Sequence, residues 1–93
     1  MKKKAVKKEE KSNYKASVIV LGKTYTAQGE TISKAIEGLK PGNCKGKSIL
    51  VIENGDVRKE KILMPMTTQR LFGFSGLVRE IALKNASLMF QGI

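Results

Sequence analysis

The chain has 93 residues, 41% of them hydrophobic, and carries 18 Lys and Arg against 8 Asp and Glu, a formal charge of +10. That length allows one domain with a modest core, and the apolar content argues against a wholly disordered chain. With no histidine, a single cysteine and no long apolar run, it excludes an internal disulfide, the usual sulfur and imidazole zinc site and a membrane-spanning helix.

Residues 1–12 hold six lysines and two glutamates with almost nothing apolar, which predicts a disordered basic arm ahead of one folded domain over residues 13–93. No apolar stretch follows the basic start, so a secretory signal is not expected. From Tyr14 to Val20 the pattern alternates, with Ala16, Val18 and Val20 on one face and Ser17 and Ile19 on the other. This is the period of a strand. Leu21-Gly22-Lys23 reads as a turn, and Thr24-Tyr25-Thr26-Ala27 as the return strand. Thr31 is placed to cap a helix in which Ile32, Ala35, Ile36 and Leu39 form one apolar stripe, ended by Pro41-Gly42.

Ile49–Glu53, Asn54-Gly55 and Asp56–Met64 predict a second hairpin, with a type I′ turn at Asn-Gly. The charge run Arg58, Lys59, Glu60 and Lys61 suits an edge strand, where charges discourage unwanted pairing. Pro65 stops that strand, and Thr67 or Thr68 caps a short helical turn through Phe72. Ser75 caps a last helix across roughly residues 76–90. The order β-β-α-β-β-α predicts an α+β fold: a small antiparallel sheet from two hairpins, with helices packed on one face. The last helix is apolar over more than one stripe, at Leu77, Val78, Ile81, Ala82, Leu83, Ala86, Leu88, Met89 and Phe90. Its surplus surface either lies under the N-terminal strand or forms a protein interface, for which Leu83, Ala86 and Phe90 are the candidates.

Catalysis finds little support. The commonest general acid–base side chain is absent, and Cys44 has no histidine partner. Glu53, Asp56 and Glu60 cluster near the second hairpin, but each has cations beside it, so surface pairing is expected in place of a metal site. Gly42-Asn43-Cys44-Lys45-Gly46-Lys47-Ser48 approximates a phosphate loop with three residues between its glycines where four are required. A helix precedes it and a strand follows, the reverse of that motif's setting. Neither an enzyme nor a bound cofactor is expected. Exposed loop N–H groups with Lys45 and Lys47 remain able to grip a phosphate non-specifically.

Binding to a polyanion is the leading expectation. Lys2, Lys3, Lys4, Lys7, Lys8 and Lys11 on the arm, Lys40, Lys45 and Lys47 on the loop, and Arg58, Lys59 and Lys61 on the hairpin are the candidate contacts. Nucleic acid, an anionic membrane surface and an acidic protein all fit such a charge. Neutralised phosphates release counterions, which gives affinity without sequence readout. Stacking is thinly provided for, by Tyr14 and Tyr25 if they lie across from each other on the first hairpin. The alternative is an assembly or interaction protein, homo-oligomeric or bound to another subunit through the last helix.

The combination of Tyr14-Lys15, Gly22-Lys23-Thr24-Tyr25, a helix ending Leu39-Lys40, and Arg70-Leu71-Phe72 resembles short basic proteins of tailed bacteriophages and prophages. The resemblance implies a virion or accessory role, in the bacterial cytoplasm or the particle, and assigns no functional residues.

Overall fold

The computed structural model describes residues 14–92, so the arm expected over residues 1–12 lies outside the described residues. Strand β1 (Tyr14–Val20) buries Ala16, Val18 and Val20 and leaves Lys15 exposed, as its alternation predicts. It pairs antiparallel with β2 (Lys23–Gly29), Val20 opposite Lys23 and Tyr14 opposite Gly29. The two linking residues, Leu21 and Gly22, have φ of 51° and 78°. Positive φ at both positions is the requirement of a type I′ turn.

That turn was expected at Asn54-Gly55. There, β3 (Ser48–Asn54) runs through Asn54, which pairs with Val57 at the start of β4 (Val57–Leu63). The central turn residues are therefore Gly55 and Asp56, and only Gly55 has positive φ, at 65°. Register decides this. The observed pairing sets buried Leu63 opposite Ser48, whereas a turn centred on Asn54-Gly55 would set it opposite Gly46, before the start of β3.

The strands form one antiparallel sheet in the order β2-β1-β3-β4. Strand β4 is an edge and is exposed along its length except at Leu63, as its charge run predicts. Among the described residues, three helices cover one face. Ala16, Val18, Leu50 and Ile52 from the sheet share a core with Ala35, Ile36, Leu39, Leu71, Leu83, Ala86 and Phe90. Complete burial of a side chain the size of Ile36 or Phe90 contributes about 1.5–3 kcal/mol.

Helix α1 (Ile32–Glu37) begins where Thr31 Oγ1 accepts a hydrogen bond from the Lys34 N–H at 3.1 Å. It ends at Gly38, short of the expected Pro41-Gly42, and Leu39 reaches the core from beyond the last turn. Gly29 permits the close return of α1 onto β2, since a Cβ there would stand 2.5 Å from the Ala35 nitrogen.

Helix α2 (Pro65–Phe72) is a full helix, longer than the turn expected, with Pro65 in its first turn. Neither Thr67 nor Thr68 caps it; the N-cap position is Met64. Thr68 is buried, and its hydroxyl shares a 2.8 Å hydrogen bond with Ser48 Oγ on β3. Helix α3 (Gly76–Leu88) has Ser75 at its N-cap position, but that side chain makes no capping bond. Arg79 of α3 ties the three helices together. Its Nε donates to the Leu71 carbonyl at 3.1 Å, and a terminal guanidinium nitrogen donates to the Glu37 carbonyl at 3.0 Å. Both carbonyls lie in the last turns of their helices, where backbone acceptors lack partners and a cation is favoured.

Candidate interaction surfaces

The register arranges the uncovered face of the sheet in rows. Nearest the Leu21–Gly22 turn stand Thr24, Ile19, Ile49 and Ile62, then Thr26, Ser17, Val51 and Glu60, then Gln28, Lys15, Glu53 and Arg58. The face thus passes from apolar to charged along the strand direction. In the charged half, Lys15 Nζ lies 3.8 Å from Glu53 Oε1, and Arg58 Nε lies 3.4 Å from Glu53 Oε2. Arg58 also pairs with Glu60. These exposed pairs contribute little to stability, but they occupy the charges.

The cations expected to act together on the second hairpin are therefore divided. Arg58 is held by carboxylates on the uncovered face, while Lys59 and Lys61 alternate to the helix side of β4. The start of the described residues and the loop are also apart. The chain enters the described body at Tyr14, whereas Lys47 precedes Ser48, which pairs with Val20 at the other end of β1. Seven strand residues separate the two ends, about 20 Å. Lys40, Lys45 and Lys47 are exposed, but the Lys45 N–H donates to Asn43 Oδ1 at 2.9 Å and is not open to a phosphate.

Among the described residues, the cations at the turn end stand without carboxylates. Residues 14–29, 38–52 and 61–79 contain no Asp or Glu. Lys47 lines a shallow hollow of about 260 Å³ with Ile19, Ser48, Ile49 and Ile62. Leu21 and Met64 sit one residue beyond the last paired row, Lys23, Val20, Ser48 and Leu63, and both are exposed, as are Ile62 and Met66.

The tyrosines do not form a stacking pair. Tyr25 is opposite Val18 and Tyr14 is opposite Gly29, and both pack on the core from the helix side. Among the described residues, no aromatic side chain lies on the uncovered face of the sheet.

On α3 and the turn that follows it, the residues expected at an interface belong to the domain's own core. Leu83, Ala86 and Phe90 are 8%, 1% and 0% exposed. The opposite side of the helix is the unusual one: Leu77, Val78, Ile81 and Leu88 are 69%, 42%, 53% and 52% exposed. Successive residues turn by about 100°, so Ile81 and Leu88 project roughly opposite Leu83. Beside them a groove of about 510 Å³ runs between α2 and α3, lined by Thr67, Arg70, Val78, Ile81, Asn85 and Met89 among others. The same spacing that assigns Leu83, Ala86 and Phe90 to one stripe marks Val78, Ile81 and Leu88 as the second, a signal present in the sequence alone.

Cys44 is half-buried in the loop before β3, with Sγ 3.9 Å from the Pro41 carbonyl oxygen. Glu53 and Glu60 share Arg58, the surface pairing expected of them, whereas Asp56, for which it was also expected, makes no ion pair among the described residues. Among the described residues, no three metal-ligating side chains converge, and no helix is long and apolar enough to cross a membrane. Comparison with family models, curated proteins and solved structures gives no match, so the functional reading rests on the geometry of these surfaces.

Proposed function

We propose that this chain is a non-catalytic binding protein with an assembly role, docking through the outward face of α3. One observation carries the reading: α3 is apolar on the side opposite the core as well as toward it. A helix resting on a sheet needs only one apolar stripe, and contiguous exposed apolar surface marks interaction sites. The first partner to test is a second copy. Every copy is strongly cationic, and on α3 the charges are Arg79, engaged by carbonyls, and the opposed pair Glu80 and Lys84. Like-charged chains meet least repulsion there. An assembly component agrees with what the likeness to short basic bacteriophage proteins implies.

Sedimentation equilibrium of the full chain over a concentration series tests this. Association is expected, and is expected to be lost in Ile81→Glu/Leu88→Glu. Both positions are exposed, so at concentrations too low for association that variant should melt with the wild type. A wild-type chain that stays monomeric at high concentration would overturn self-association through α3. Charges at Leu83 or Phe90 are unsuitable probes, because those side chains are core.

A second reading, sequence-nonspecific nucleic-acid binding, is favoured by the carboxylate-free end bearing Lys45 and Lys47 together with the lysines of residues 1–12. It predicts that affinity for a fluorescent oligonucleotide falls steeply with salt, less steeply after deletion of residues 1–12. No binding at low salt would remove it.

A further inference from the structure

Leucine is poorly suited to position 21. A left-handed backbone brings Cβ against the following carbonyl, and the first place of a type I′ turn favours Asn, Asp or Gly. Leu21 nevertheless holds φ 51°, and its side chain is 63% exposed, so the fold gains little packing from it. Such strain at an exposed apolar residue points to a use outside the fold. Ile62 is 68% exposed in the adjoining apolar row, and Met64 projects beside the last paired row. Lys23 follows the turn, Lys47 borders the isoleucine hollow, and Lys45 flanks Gly46, whose Cβ position is 4.0 Å from Leu21 Cδ2.

We propose that this end of the sheet docks on an anionic lipid bilayer. Leu21 and Ile62 enter the boundary between headgroups and acyl chains, while Lys23, Lys45 and Lys47 meet lipid phosphates. Charge complementarity selects the partner. The apolar tip is fringed by ammonium groups, and the nearby segments carry no carboxylate to repel an anionic surface. Apolar burial and basic charge together give the two signals that stable peripheral attachment needs. A nucleic-acid backbone has no use for exposed aliphatic side chains, and the uncovered face offers no aromatic ring for a base. The polarity of the sheet fits the same orientation: its ion-paired rows lie at the far end, away from the lipid. This inference does not depend on α3.

The test is co-sedimentation of the full chain with vesicles of phosphatidylcholine alone and of phosphatidylcholine containing phosphatidylserine. Binding is expected to the second only, weakening with salt. Leu21→Asn keeps every charge and suits the turn better, yet should bind these vesicles roughly tenfold more weakly or worse, the equivalent of losing one buried leucine. Ile62→Thr should act in the same direction, and Lys45→Glu/Lys47→Glu should reduce binding further. Thermal melts run alongside confirm folding. Anionic vesicle binding unchanged in both Leu21→Asn and Ile62→Thr would overturn the proposal, since charge alone would then suffice. A chain that binds an oligonucleotide but no anionic vesicle would overturn it equally.

Discussion

Replacing Leu21 by asparagine should make the domain more stable. A left-handed conformation costs an ordinary side chain roughly 1–2 kcal/mol, whereas asparagine tolerates it through local hydrogen bonding. Against this stands lost burial. Leu21 is 63% exposed, so about a third of a leucine's full burial value of about 1.5–3 kcal/mol is forfeited. The balance is a gain of about 0.5–1 kcal/mol. In a domain of this size that raises Tm by about 2–8 °C. Thermal unfolding by circular dichroism, with urea unfolding as a second axis, measures it. Leu21→Gly should gain less, because glycine also widens the unfolded ensemble. A fall in Tm for Leu21→Asn would refute the reasoning: the leucine's contacts would then outweigh its strain. Greater stability with weaker vesicle binding would show a functional residue retained at a stability cost.

Four further substitutions, and one double variant, test the packing and the helix surface. Phe90→Ala should cost about 3–5 kcal/mol and leave little or no folded protein, while Ile81→Ala should leave urea unfolding within about 0.5 kcal/mol of wild type and weaken sedimentation-detected association. Thr68→Val should cost about 1–3 kcal/mol, because Ser48 Oγ then loses its partner in a buried site. The double variant Ser48→Ala/Thr68→Val should cost less than the sum of its parts in urea unfolding, with a coupling of about 0.5 kcal/mol or more. Arg79→Lys should lower stability by about 1 kcal/mol or more, since an ammonium group cannot reproduce the forked contact to Leu71 and Glu37.

The elements themselves were legible because their patterns are local. Alternation at Ala16, Val18 and Val20 makes a strand wherever it packs, and Thr31 followed by Ile32, Ala35 and Ile36 makes a capped helix. The carboxylate-free stretches around Lys23 and Lys45 are also a property of the chain alone. Strand register was not legible. Asn54-Gly55 is the better type I′ dipeptide, yet Leu21-Gly22 takes that turn, while the pairing of Leu63 with Ser48 carries β3 on through Asn54. Strand alternation alone divides Arg58 from Lys59 and Lys61; the pairing decides that Arg58 stands opposite Glu53.

For the last helix, the sequence alone determined that two apolar stripes exist, and only tertiary structure decided which one is core. Periodicity cannot rank two stripes of similar apolarity. The sheet can, because Leu83, Ala86 and Phe90 fill the space above Ala16, Val18, Leu50 and Ile52 while Arg79 satisfies the ends of α1 and α2. Once that stripe turns inward, the rigid 100° step of the helix leaves Ile81 and Leu88 facing outward.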